Sequence, residues 1–281
     1  MASAVVTAGR PARKRRSASA ASLTPASTLG LGIGMLWFSL LVLIPLAAIV
    51  VTASDHGWAA YKDTLTDART FDALKLTVEV AVGTTAVNMV MGTLIAWVLV
   101  RDRFPGKRIL DLVIDIPFAM PTIVAGLVLL ALYGTTGPLG LGFENTRKAV
   151  FLAILFVTLP FIVRTVQPVL EEMDTDVEDA AASLGAGRFT TFRRIIFPTL
   201  APAIFAGAAL SFARGISEYG SLVLLSGNLP SKTEVTSYRM TSMLENGNRV
   251  GAAALATVML LVALLALVVL DLLQRRLARR V

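Results

Sequence analysis

The sequence has no cysteine, which removes disulfides and thiolate metal sites. It has one histidine, His56, between Asp55 and Gly57, and a lone imidazole in a polar loop makes a poor metal site, so no metal is expected. Charge is scarce: 16% of the 281 residues are Asp, Glu, Lys or Arg, against about a quarter in a soluble domain. A water-facing surface needs that charge, so a soluble globular fold is excluded. No Gly-x-x-x-x-Gly-Lys-Ser/Thr stretch occurs, so the chain lacks a phosphate-cradling loop of its own.

What is present is apolar. Hydrophobic residues make up 55% of the chain and the mean hydropathy is +0.72. Apolar runs near 20 residues match a hydrocarbon core of ~30 Å. They fall at about 30–52, 77–100, 112–133, 149–170, 200–226 and 251–273. Lipid offers the backbone no hydrogen-bond partner, and the runs lack the period-2 alternation of a barrel, so each is expected to be a helix. The expected fold is all-α, a polytopic membrane protein with about six spans. Arg10 to Arg16 ahead of the run Leu29 to Thr52 imitates a signal peptide. The run is too long for one and no small-residue cleavage site follows it, so it reads as a span that stays. Residues 1–28, rich in Ala, Ser and Arg, read as a basic disordered cytoplasmic tail. The first and sixth runs read as lipid-facing anchors.

A net charge of +7 and a pI of 10.1 raise nucleic-acid binding as a reading. The distribution opposes it, because the basic residues sit in short clusters between apolar runs. With the N-terminus inside, inner segments hold 17 Lys and Arg and outer loops 8, leaving Arg214 within a span. That asymmetry predicts both ends in the cytoplasm. Lipid is the expected surrounding, and no nucleic acid.

The longest inner loop is Glu171 to Pro198. Thr175-Asp176 can cap a helix, Glu178 and Asp179 suit its first turn, and Ala180 to Ala182 favour its interior. Gly185 and Gly187 break it, and Arg193 and Arg194 stand at the membrane edge. The pattern predicts a helix over about 175–193 lying across the cytoplasmic face. It either joins two spans or offers its small-residue surface to another protein.

Charge within a span is expensive and usually meets a partner or a wet path. Arg214 and Glu218, four residues apart, either line an anion path or form a structural ion pair. Arg164 either lines the same path or snorkels to the inner surface. Ser211, Ser217, Thr122 and Asn88 are weaker candidates, since such residues more often bond between helices than contact a substrate. Pro117 and Pro121 should distort the third span, either beside the path or as a packing kink.

Asp179-Ala180-Ala181, three residues, Gly185, nine residues, Ile195, one residue, Phe197-Pro198 resembles the Glu-Ala-Ala loop of ABC-importer permeases, with Asp for Glu and Phe for Leu. Asp115 to Gly126, Pro160 to Glu172, Ala209 to Arg214, Glu218-Tyr219-Gly220, Ser226-Gly227-Asn228 and Lys232 to Val235 resemble the sulfate/molybdate permease group, most closely its T-type sulfate/thiosulfate subunits. The likeness runs from about residue 30 to the end. It implies a MetI-like permease fold, and a subunit that breaks no bonds. It implies import of sulfate and thiosulfate by alternating access, beside a homologous W-type permease. Two ABC ATPase subunits would carry ATP and Mg below, and a periplasmic or lipid-anchored sulfate-binding protein would dock above. It also makes Glu178, Asp179, Ala180, Ala181, Gly185 and Arg188 the ATPase-coupling residues and puts the chain in a bacterial inner membrane, while the candidates along the path remain those read from polarity and proline within spans: Arg214, Glu218, Ser217, Ser211, Arg164, Pro121 and Thr122. A molybdate or tungstate permease differs only in the anion. An ion-coupled secondary transporter would have no use for the 175–198 helix. An intramembrane enzyme would need a catalytic dyad, and no Ser with Lys or Asp at such a spacing appears.

Overall fold

The computed structural model describes residues 25–54 and 57–278. The expected basic tail, apart from its last four residues, and His56 lie outside them. Pro25 to Thr28 already belong to a helix. The chain divides into two units, Met1–Ala48 and Ile49–Val281. The described part of the first is apolar helix: α1 (Pro25–Phe38), a π turn (Ser39–Leu43) and the start of α2 (Ile44–Ser54).

The second unit holds α3 (Gly57–Thr66), α4 (Ala68–Arg101), α5 (Lys107–Ala119), α6 (Thr122–Tyr133) and α7 (Arg147–Glu172). There follow α8 (Thr175–Ser183), α9 (Arg188–Thr191), a second π turn (Phe192–Ile196), α10 (Phe197–Ile216), α11 (Gly220–Leu225), α12 (Thr236–Glu245) and α13 (Arg249–Ala278). No strand occurs among the described residues.

α4, α7 and α10 pack on one another pairwise, and α13 lies along α10. Lipid is as apolar as leucine, so no hydrophobic drive pulls helices together, and close packing must do it. The sequence supplies small residues at the crossings. A Cβ on Gly92 of α4 would stand 2.8 Å from the Ile162 Cβ of α7, and one on Gly207 of α10 would strike Thr165 and Ile162. Asn88 on α4 donates to Thr158 Oγ1 at 2.9 Å and to the Leu155 carbonyl at 3.2 Å, a polar tie inside the bundle. Ile162, Val163, Val166, Leu170, Leu200 and Ala208 fill the space between these helices.

The third apolar run departs from a plain span. It is two helices, α5 and α6, bent by 119° at Met120–Pro121. Pro121 has no N–H to continue the ladder of α5, and Met120 is extended, as a residue before proline prefers. The pair still makes one crossing. α5 starts where Lys107, Arg108 and Asp111 line a cavity with Gln167 and Glu171, at the C-terminal end of α7. α6 ends where the Phe143 amide donates to the Tyr133 carbonyl at 3.1 Å, just before α7 begins. Five other helices among the described residues are long and apolar enough to cross a membrane, so with the bent pair as one span the candidate crossings number six.

The fifth run also differs. Its helix starts at Arg188, through α9 and the π turn, and stops at Ile216 rather than 226. Ser217 closes α10, and the chain starts again as α11. The sixth is not a free anchor along its whole length. Ala254 and Leu255 of α13 are buried, while Leu261 and Leu265 further along are exposed.

Below, the α8 face is the end carrying Arg101, Lys107 and Glu171, and the α12 face is the opposite end. At the α12 face Arg69 donates from Nε and Nη2 to the buried Glu234, at 2.6 and 2.7 Å. Arg239 pairs with Asp67 at 3.0 Å. The Thr70 hydroxyl and amide, helped by Arg239, hold the Asp67 carboxyl below the usual carboxylate range. These pairs strap the 226–240 segment to the head of α4.

Candidate translocation path and coupling helix

Two helix breaks meet inside the bundle. One is Met120–Pro121 between α5 and α6, and the other is Ser217–Tyr219 between α10 and α11. Thr122 packs against Gly220 so closely that a Cβ there would strike its hydroxyl, and Gly126 lies on the Ser221 carbonyl. Broken helices at membrane depth are tolerated where they line a cavity, and their freed ends are a recurrent place for ions. Pro121, Ser217 and Tyr219 are exposed at this junction. No side chain caps the first amides of α6, so its N-terminus presents free N–H groups and the positive end of its dipole there.

Gly126 fixes how near α6 and α11 can lie. Gly126→Ala is expected to cost about 1–3 kcal/mol, as overpacking does. Its check is the thermal aggregation midpoint in detergent, with Gly30→Ala, whose Cβ meets nothing within 4 Å, as a control that leaves the midpoint unchanged.

Arg214 and Glu218 do pair, with Nη2 2.8 Å from Oε2. They do not share one helix face, because Glu218 lies past the end of α10. Its other oxygen, Oε1, accepts the Ser221 amide and hydroxyl, both at 2.9 Å, and its carbonyl accepts the Ser237 hydroxyl at 2.7 Å. Glu218 is therefore a buried organiser of the break: it ends α10, starts α11 and holds α12. The Glu218 side chain is 0% exposed, whereas Arg214 keeps 31% of its side chain open. The cation, not the carboxylate, is the member of the pair that can meet a ligand. Ser217 sits beside it and donates to the Arg214 carbonyl at 3.1 Å.

Arg164 follows neither expected course. Its guanidinium forks onto Asp115, with Nε–Oδ1 and Nη2–Oδ2 both 2.7 Å, and also reaches Asp111 Oδ1 at 2.7 Å and Gln167 Oε1 at 2.6 Å. A cation so fully satisfied is a brace between α5 and α7. Ser211 is 1% exposed and turned into the packed helices. Of the seven path candidates, Arg214, Glu218, Ser217, Pro121 and Thr122 come together at the two breaks, and Ser211 and Arg164 do not.

The helix expected over 175–193 is shorter, because 188–193 already belongs to the next span. α8 covers nine residues, with Asp174 Oδ1 accepting the Asp176 amide at 2.9 Å as its cap. It ends in a left-handed turn at Gly185, φ +81°, where the Ala186 amide reaches the Ala181 carbonyl at 3.0 Å. Glu178 faces inward and pairs with Arg101 of α4 at 2.6 Å. Asp179, Ala180, Gly185 and Arg188 are exposed, Ala181 is half-buried, and Leu184 beside them is 88% exposed. Exposed apolar groups on a short helix tied to a span suit a protein partner. Asp111, Asp115 and the Arg101–Glu178 pair escaped the sequence reading. Two carboxylates four residues apart on one amphipathic helix were the available signal for the first two.

Among the described residues, helices long and apolar enough to cross a membrane, two helix breaks that meet within the second unit and an exposed helix tethered at one of its faces are the features of a membrane permease subunit. Residues 88–281 match the family described as binding-protein-dependent transport system inner membrane component, and the chain belongs to it. It is 42% identical over 264 residues to the sulfate transport system permease protein CysT of Salmonella typhimurium, covering 92% of this chain and 95% of that one. The CysT of Escherichia coli is 40% identical over the same coverage. Among solved structures, a chain of a bacterial alginate ABC transporter in complex with its alginate-bound periplasmic protein superposes with a TM-score of 0.75 at 16% identity. It covers 89% of this chain and 94% of that one, a likeness of fold.

Proposed function

We propose that this chain is the T-type permease subunit that carries sulfate, and thiosulfate with it, into the bacterial cytoplasm. The observation that carries this reading is 42% identity, over nearly the whole chain, to a permease named for sulfate transport. Its partners in this reading are a homologous W-type permease, two ABC ATPase subunits holding ATP and Mg, and a sulfate-binding protein at the α12 face. Both chain ends are cytoplasmic, which puts the α8 face inside.

The path runs past the two helix breaks. A dianion entering from the α12 face meets the Arg214 guanidinium and the uncapped amides of α6. The dianion must also leave, and Glu218 keeps Arg214 from holding it too strongly. Closure of the ATPases shifts α8, and Glu178–Arg101 passes that movement to α4, while the adjoining π turn passes it to α10. The Arg164 brace makes α5 follow α7, so the break at Pro121 opens or shuts with the bundle.

The test is labelled sulfate uptake by the reconstituted complex with competitors. Unlabelled sulfate and thiosulfate are expected to suppress uptake, and equimolar molybdate to leave it unchanged. Suppression by molybdate stronger than by sulfate overturns the choice of anion.

A further inference from the structure

A groove on the flank of the bundle serves neither the path nor the coupling helix. Met89, Val90, Leu94 and Trp97 of α4 line it with Phe197 and Ile204 of α10, and it encloses about 420 Å³. Phe192 of the π turn also lines it, edge-on to Trp97 at 6.5 Å and 6.1 Å from Phe197. The Thr93 hydroxyl in its lining is already spent on the Met89 carbonyl at 2.6 Å. Apart from the Trp97 indole the lining is apolar, so the groove offers a ligand chiefly apolar contact.

Its end toward the α8 face is different. Trp97 lies one turn before Arg101, and Phe192 directly precedes Arg193 and Arg194. Arg101 is committed to Glu178 at 2.6 Å and lies over the Trp97 ring. Arg193 and Arg194 are exposed and pair with no carboxylate among the described residues. In the π turn the Phe197 amide bonds the Phe192 carbonyl, so Arg193, next to Phe192, lies about one turn nearer the α8 face than Phe197. From Met89 to Trp97 the groove follows α4 for about 12 Å, close to the ~15 Å of one leaflet's hydrocarbon. An apolar slot one leaflet deep, whose lining residue Phe192 is followed directly by two exposed arginines, has the chemistry of a lipid molecule. A helix from another subunit would gain nothing from the two cations.

We propose that this groove and Arg193–Arg194 hold one anionic phospholipid of the leaflet at the α8 face. One acyl chain lies along Met89, Leu94, Trp97 and Phe197, and the phosphodiester sits on the guanidiniums, whose planar fork suits phosphate oxygens. The inference does not depend on which anion is transported.

The test is native mass spectrometry of the complete delipidated complex after adding back phosphatidylglycerol or phosphatidylcholine with the same chains. The wild type is expected to retain phosphatidylglycerol preferentially. Arg193→Gln should weaken retention about fivefold, and Arg193→Gln/Arg194→Gln roughly thirtyfold, at about one unit of surface attraction per arginine. Thr93→Trp, which fills the groove and leaves both arginines, should lose the lipid as well. Should that variant misfold, Val90→Trp fills the slot from its exposed side. Excess glycerol phosphate should not displace the lipid. Retention unchanged in the double glutamine variant overturns the proposal, as do equal retention of phosphatidylcholine and displacement by the headgroup alone. A wild-type complex that retains no lipid, its groove covered by the second permease, overturns it too.

Discussion

Arg214→Ala is expected to lower sulfate uptake about thirtyfold or more while the complex assembles and its ATPase still responds to the loaded binding protein. The guanidinium is the half-open cation at the junction of the two breaks, and its loss removes a charge-assisted contact of about 2 kcal/mol. It also leaves Glu218, buried and negative, facing an incoming dianion. Arg214→Ala/Glu218→Gln should therefore recover part of the loss, because the repulsive charge goes while the amide keeps an oxygen for Ser221. Arg214→Lys should retain most uptake, since a mobile cation remains. The readout is labelled sulfate uptake at saturating binding protein, beside stimulated ATP hydrolysis. Equal uptake by all four proteins would remove Arg214 from the path.

Gly185→Trp is expected to abolish uptake without unfolding the chain. At φ +81° any side chain pays a strain of about 1–2 kcal/mol. Within this chain an added Cβ meets nothing within 4 Å, so the indole projects from the surface that carries Leu184. Overpacking of about 1–3 kcal/mol at a docking surface weakens it about 5- to 150-fold. Gly187→Ala is the control. That residue has a negative φ and equally open surroundings, and it should behave as wild type. Thermal midpoint, co-purification of the ATPase and uptake together separate loss of docking from loss of fold.

Most of the crossings were legible in the sequence, because hydropathy reports how much of a helix meets lipid. The breaks were less so. Pro117 and Pro121 announced a distortion, but its 119° depends on Arg164 drawing α5 against α7, a contact between residues 49 apart. The end of α10 was hidden for another reason. Gly220 to Leu225 is as apolar as the helix before it, so a hydropathy reading runs through Ser217 and Glu218. At the break the Glu218 amide turns back to the Gly215 carbonyl, and its carboxylate takes the Ser221 amide at the start of α11. Polarity within a span makes Ser211 either a path residue or a contact between helices, and its burial favours the second. Which side of a helix looks inward depends on the helices beside it. The loop helix was legible because capping and helix-forming residues act locally, and only its tie to Arg101 needed the fold.

The central claim is that this chain carries sulfate under the control of an ATPase docked on α8. The measurement is labelled sulfate uptake into proteoliposomes holding this chain, its partner permease, ATPase and binding protein. Uptake should require all four components and internal ATP, and should vanish with Gly185→Trp. Uptake that proceeds without ATP, or that survives Gly185→Trp, would contradict it.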